Sequence, residues 1–156
     1  MTSFFLIRHG HTEAIGKFIT GHMAGVPLTA SGIAQAEAVG QFLAQEPLAA
    51  VYASPIERTQ TTAQIVARRH GLEVVTRPGL IEVDVGAWTG ASLGELEHND
   101  DFRRFNTWRT LVRPPGGEHM VDVQARMVAE LLRLRDLHPD QRVAVVSHGD
   151  PIRAAI

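Results

Sequence analysis

Arg8-His9-Gly10 and Ser147-His148-Gly149 each set an imidazole beside a glycine at the end of an apolar run, Phe4–Ile7 in the first case and Val143–Val146 in the second. A neutral imidazole is both a nucleophile and a proton carrier near neutral pH, and a guanidinium next to it is a fork that suits phosphate oxygens. Arg58 follows closely on a third apolar run, Ala49–Ala53, and brings a second guanidinium. Arg8, Arg58, His9 and His148 around a glycine-lined spot would make an anion site, provided all four surround one hollow of phosphate size. A histidine is more often a surface or satisfied core residue than a nucleophile, and His22, His70, His98 and His138 are read in that ordinary way. His9 and His148 stand apart because each closes an apolar strand beside a glycine. His9-Gly10-His11 also resembles a metal pair, but no carboxylate stands at ligand spacing and the arginines would repel a cation, so no metal is expected.

Residues this far apart meet only if the elements carrying them end at one edge. Phe4–Ile7 is short and continuously apolar, the pattern of a strand buried on both faces. His11 to Val26 reads as loop. Thr29 is placed to cap a helix over 30–46 with Ile33, Ala36, Gly40 and Leu43 on one face, widened by Val39 and Phe42, and Pro47 stops it. After the second strand, Ser54-Pro55 opens a helix to about His70, so Arg58 lies in its first turn. Leu72–Thr76 reads as a third strand, Ile81–Gly90 as a glycine-punctuated segment holding Glu82 and Asp84, and Leu93–Val112 as a helix crowded with Asp100, Asp101, Arg103, Arg104 and Arg109. Pro114-Pro115-Gly116-Gly117 is a hard break. A long helix from Glu118 to Leu137 then carries Met120, Val123, Met127, Leu131 and Leu134 on its core side. Strands alternating with helices give an α/β fold: a single three-layer domain, a mainly parallel central sheet with helices on both faces. In a parallel sheet the three strand ends share one edge, where such folds build ligand crevices.

The totals narrow the class further. A chain of 156 residues, 44% hydrophobic and 21% charged, fits one domain with a real core. The net charge of −2 argues against broad nucleic-acid or membrane affinity. With no cysteine, disulfides, thiolate nucleophiles and thiolate metal sites are excluded. No run reaches membrane-spanning length, and a cytoplasmic location is the default expectation.

The two His-Gly elements, with Leu28-Thr29, Gly32, Gln35-Ala36, Ser54-Pro55, Arg58-Thr59, Thr62-Ala63, the acidic stretch Glu82–Gly90 and Pro115-Gly116-Gly117-Glu118, resemble the histidine phosphatase superfamily, also called phosphoglycerate-mutase-like. The resemblance covers nearly the whole chain and implies a histidine phosphatase domain over 1–156. It implies that His9 is the nucleophile, forming a phosphohistidine through one ring nitrogen while a backbone carbonyl holds the other as a donor. Arg8, Arg58 and His148 would then bind and stabilise the phosphoryl oxygens, with Gly10, Thr12 and Gly149 lining the substrate. Glu82 would protonate the leaving alcohol and afterwards help water attack the phosphoenzyme. Asp84 is a rival for that role, though bonding the glycine turn after it suits it better. Thr12 touches phosphate or caps a turn with equal weight. No cofactor or metal is implied, because fixed cations take that role.

Three departures from the family pattern stand out. His11 replaces a usual acidic residue, Ile15 replaces a usual asparagine, and the chain stops eight residues after His148 where members usually continue through a helix and a strand. The end is therefore either truncated or an unusually short form, and apolar surface left uncovered there would suit a partner subunit in a homodimer. The expected activity is hydrolysis of a small phosphorylated metabolite or a phosphoprotein. The alternatives are a cofactor-dependent phosphoglycerate mutase and a non-catalytic phospho-ligand binding module. Asp84-Val85-Gly86-Ala87-Trp88 is the form more usual in the phosphatase branch. Arg103, Arg104, Arg109 and Arg113 are read as helix-solvating partners of Asp100 and Asp101, ahead of a role in greeting a second anionic group.

Overall fold

A computed structural model describes residues 1–156 as one α/β domain. Its sheet holds β1 (Ser3–Arg8), β2 (Leu48–Ala53), β3 (Val74–Thr76) and β4 (Arg142–Ser147) in the order β1-β4-β2-β3, with every pair parallel. The chain passes from β1 to β2 through α1 (Ala30–Leu43), then onward to β3 through α2 (Glu57–Arg68), moving in one direction across the sheet. It returns from β3 to β4 through α5 (Met120–Leu137). Right-handed crossovers in opposite directions place their helices on opposite faces, which produces the three layers.

The strand alternation shows which face is which. Val51, Ala53, Ala144 and Val146 pack with Leu43, Ala63 and Val66 from α1 and α2. Ala50, Tyr52, Val143 and Val145 pack with Met127 and Leu134 of α5, and α6 (Gly149–Ala155) adds Ile152 to the same side. A third cluster joins Val83, Val85, Trp88, Leu96 and Phe105 to Met120 and Val123 at the start of α5, so the 83–105 segment rests on the end of that helix.

Several boundaries differ from the sequence expectation, each for a local reason. β1 is an edge strand: only Ile7 is buried, while Phe4, Phe5 and Leu6 are half-buried along an open groove with Val39 and Phe42. β4, flanked on both sides, is buried from Val143 to Ser147. The buried line of α1 is Gly32, Ala36, Gly40 and Leu43, whereas Ile33 and Phe42 are 45% and 80% exposed. Small residues four apart let α1 approach α2 closely, and that packing selects the face over the larger side chains. The helix ends at Leu43, ahead of Glu46. The expected helix over 93–112 is two, α3 (Leu93–Leu96) and α4 (Asp100–Thr107), because Asn99 accepts the Phe102 N–H and caps a new start. The second helix begins at Glu57 and not at Ser54, whose hydroxyl is engaged elsewhere.

Candidate active site

Parallel register brings the catalytic-type residues to one level. Arg8 pairs with Ser147 and Ala53 with Val146, so His9, His148 and Ser54 each leave the sheet at the same edge. The ladder runs one step further on both sides of β4, with His9 N–H donating to Ser147 O at 3.1 Å and Ser54 N–H to Val146 O at 3.0 Å. The rings of His9 and His148 consequently meet edge to face, with centroids 5.3 Å apart.

His9 is held from within its own turn: its Nδ1 lies 2.8 Å from Gly10 O. A carbonyl only accepts, so Nδ1 carries the hydrogen and Nε2 keeps its lone pair. Burial pushes the His9 pKa down to about 4, the Arg58 and Arg8 charges push the same way, and the Gly10 carbonyl opposes them. The ring is therefore neutral over the physiological range. Gly10 is required for space, because a Cβ there would stand 2.3 Å from Gly32 O, where α1 starts against the turn. Its N–H donates to Thr62 Oγ1 at 3.1 Å, and Thr62 in turn donates to Arg58 O.

His148 is fully buried, with Nε2 2.8 Å from Ser54 Oγ. Its Nδ1 is buried without a partner and lies 3.9 Å from Glu82 Oε2. Burial, then the Arg58 charge, hold its pKa well below the usual histidine range. Arg58 is 1% exposed; one Nη donates to Gly21 O at 2.9 Å, while its Nε and other Nη are buried without partners. Leaving a buried guanidinium half-bonded is costly, and its two remaining donor nitrogens suit an anion's oxygens.

Glu82 completes the ring of groups. Its Oε1 accepts the Val83 N–H at 2.9 Å. Burial pushes its pKa up to about 7, Asp150 adds to that, and the Val83 N–H, Arg58 and Arg126 work against it. Near neutral pH it both holds and releases a proton. Arg8, His9, Thr12, Ile15, Thr20, Gly21, Glu82 and Asp150 are among the residues around a cavity of about 220 Å³. Gly149 opens α6 beside the Arg8 side chain.

Other residues singled out from sequence lie outside the cavity. His11 turns to the start of α1, with Nδ1 3.2 Å from Thr29 Oγ1 and its N–H on Gln35. Asp84 Oδ1 accepts the Gly86 N–H at 2.9 Å. Arg103 pairs with Asp100 and Arg104 with Asp101, but Arg109 makes a two-pronged ion pair with Asp150, both bonds at 2.9 Å. Sequence reasoning passed over four contributors: Ser54 as partner of His148, Asp150 beside Glu82, His22, whose Nε2 is 2.6 Å from Glu82 O, and Arg126. For Asp150 a signal existed, since it directly follows His148-Gly149. No group of three histidine or carboxylate side chains is arranged to hold a metal ion.

The strand ends thus gather Arg8, His9 and Glu82 around the cavity, while Arg58 and His148, also expected there, are fully buried beside Gly21, His9 and Glu82 and do not line it; together these are groups suited to handling a phosphoryl anion. The chain belongs to the histidine phosphatase superfamily (branch 1), whose family profile matches residues 4–156. It is 34% identical to phosphoserine phosphatase 1 of Hydrogenobacter thermophilus, over 99% of this chain and 74% of that protein. A probable phosphoglycerate mutase of Proteus mirabilis is 32% identical, over 96% and 70%. Among solved structures, Bacillus stearothermophilus YhfR superposes with a TM-score of 0.91 at 29% identity, over 99% of this chain and 78% of that one. A mycobacterial glucosyl-3-phosphoglycerate phosphatase complexed with VO3 superposes at 0.87 and 29%, over 96% and 77%.

Proposed function

We propose that the protein hydrolyses phosphomonoesters through a phosphohistidine on His9, without a metal, with Glu82 as proton donor. The observation that carries this reading is the tautomer of His9: Nδ1–H is tied to the Gly10 carbonyl, so Nε2 is a free lone pair beside unpartnered Arg58 and His148 nitrogens. Nε2 attacks phosphorus and the bond to the leaving oxygen breaks. Glu82 passes its proton to that oxygen, and the alcohol leaves. Arg8, Arg58 and His148 meet the equatorial oxygens, where charge must be stabilised during in-line transfer. A water then attacks the phosphohistidine and gives its proton to the Glu82 carboxylate. The P–N bond breaks, inorganic phosphate departs, and both side chains return to their starting states.

The cavity's volume of about 220 Å³ favours a small phosphorylated metabolite over a phosphoprotein. Phosphatases among the relatives, named for phosphoserine and glucosyl-3-phosphoglycerate, support the same choice. The second reading, a phosphoglycerate mutase, is favoured by the relative from Proteus mirabilis. Incubation with 3-phosphoglycerate and a bisphosphoglycerate primer separates the two. Phosphate release from a panel of phosphorylated metabolites is the expected result, whereas isomer formation without phosphate release would replace hydrolysis by mutase activity. Binding without turnover, even of p-nitrophenyl phosphate, would make the protein a phospho-ligand binding module.

A further inference from the structure

Glu82 stands in a segment with no regular structure, between short 3₁₀ turns at Pro78–Leu80 and Gly86–Trp88. The sheet reaches this segment at Leu80, whose carbonyl accepts from Ser147 Oγ of β4 at 2.7 Å. Closer to Glu82 the hold comes from Arg126, on α5, whose side chain reaches the loop without lining the cavity. Its Nη1 donates to Gly79 O at 3.1 Å and Ile81 O at 2.6 Å; its Nη2 donates to Glu82 O at 2.9 Å and Glu118 Oε2 at 3.1 Å; its Nε donates to Glu118 Oε1 at 3.1 Å. A guanidinium has five N–H donors, and here all five have acceptors. Glu118 closes the arrangement from the other side, its Oε2 accepting the Asp84 N–H at 2.8 Å while its own N–H donates to Asp84 O at 2.9 Å.

We propose that Arg126, braced by Glu118, is the positioning residue for proton transfer: its fork fixes the backbone of residues 79–84 and thereby holds the Glu82 carboxyl beside His148. The inference rests on the reading of Glu82 as proton donor. A lysine cannot replace the fork, having one charged nitrogen and three donors in place of a planar five-donor array. Arg126 also acts on Glu82 electrostatically, as one charge among several that face it. Asp150 at the start of α6 raises its proton affinity; Arg58 on α2 and Arg126 on α5 lower it. His148 approaches from the end of β4, and the ring of His22 shares the Glu82 carbonyl with Arg126. Removing the Arg126 cation therefore moves the loss of the donor proton to higher pH, while loosening the segment makes proton transfer less efficient.

The test compares Arg126→Gln, Arg126→Lys, Glu82→Gln and the double variant Glu82→Gln/Arg126→Gln on alkyl and nitrophenyl phosphates, with inorganic phosphate as competitive inhibitor. Arg126→Gln is expected to lower kcat by ~10 to 10²-fold on alkyl phosphates and only a few-fold on p-nitrophenyl phosphate, because general-acid help matters in proportion to how poor the leaving group is. The phosphate inhibition constant stays within about two-fold, since Arg126 touches no part of the anion site. The alkaline limb of kcat/KM moves up for Arg126→Gln and stays near its original position for Arg126→Lys, which keeps the charge but still shows the leaving-group-dependent loss. On the Glu82→Gln background the second substitution adds less than about two-fold. Equal losses on good and poor leaving groups, or an undiminished loss in the double variant, would overturn the positioning role. Where Arg126→Gln fails to fold, the leaving-group dependence of Arg126→Lys decides alone. If Glu82→Gln itself loses good and poor substrates equally, it is the proton-donor reading that falls, and the two failures are thereby told apart.

Discussion

The ends of β1 and β4 carry the same local pattern, an imidazole followed by a glycine, yet the two rings are prepared for different work. β1 is an edge strand and its histidine stays partly open to the cavity; β4 is central and its histidine is wholly enclosed. At His9 the near nitrogen is taken by a carbonyl one residue away, so the far nitrogen faces the cavity with a lone pair. At His148 the far nitrogen is taken by Ser54, so the near one faces inward, toward Glu82. A phosphoryl oxygen only accepts, so the proposed role of His148 requires the hydrogen on Nδ1, and the Ser54 hydroxyl then donates to Nε2. On the proposed reading, residue type does not separate the nucleophile from the oxygen-binding group; the partner of the second nitrogen does.

The comparison can be broken in order of expected effect. His9→Ala should remove turnover by at least ~10⁴-fold and abolish any acid-labile phosphoenzyme trapped on rapid quenching, since a missing nucleophile is not replaced by binding alone. His148→Ala should cost ~10²–10³-fold in kcat while phosphoenzyme still forms, the size seen when one preorganised donor to developing charge is removed. If His148→Ala abolished the trapped intermediate and His9→Ala did not, the two assignments would be exchanged.

The pH profile tests the same contrast without mutation. As the proposed nucleophile His9 must be neutral, so with a pKa of about 4 activity is expected to fall as pH drops through that value. As the proposed donor Glu82 must be protonated, so with a pKa of about 7 kcat/KM is expected to fall as pH rises through that value. A bell with limbs near these positions is expected, and Glu82→Gln should erase the alkaline limb alone. The smallest effect belongs to Ser54→Ala, which frees the His148 tautomer. We expect a loss of ~10-fold in kcat, with little change for His9 phosphorylation by an activated aryl phosphate; a larger loss there would give Ser54 a direct part in nucleophilic attack.

Much of this arrangement was legible in the chain because it is local. Apolar runs of strand length stop at Arg8 and Ser147, Thr29 caps α1, and Arg58 follows β2 by a fixed number of residues, so parallel strands bring them to one edge whatever the strand order. The errors were also local in origin. Ile33 and Phe42 are the larger apolar side chains of α1, but helix packing chose the glycine and alanine line, and an apolar β1 read as buried on both faces buries only Ile7 at the sheet's edge.

The sequence by itself determined the alternation of strands and helices, the two His-Gly strand ends and the helix start bearing Arg58, because periodicity, caps and breakers act over a few neighbours. Only the tertiary structure decided which nitrogen of His148 is engaged, that Arg109 leaves its neighbours for Asp150, and that Arg126 reaches the Glu82 loop. Each of these depends on a contact between residues at least 41 positions apart, and hydrogen-bond partners at such separations are set by how layers stack rather than by any pattern along the chain. By contrast, the bond from His9 to the next residue's carbonyl lies in the turn itself and makes the proposed nucleophile the most local feature of the site.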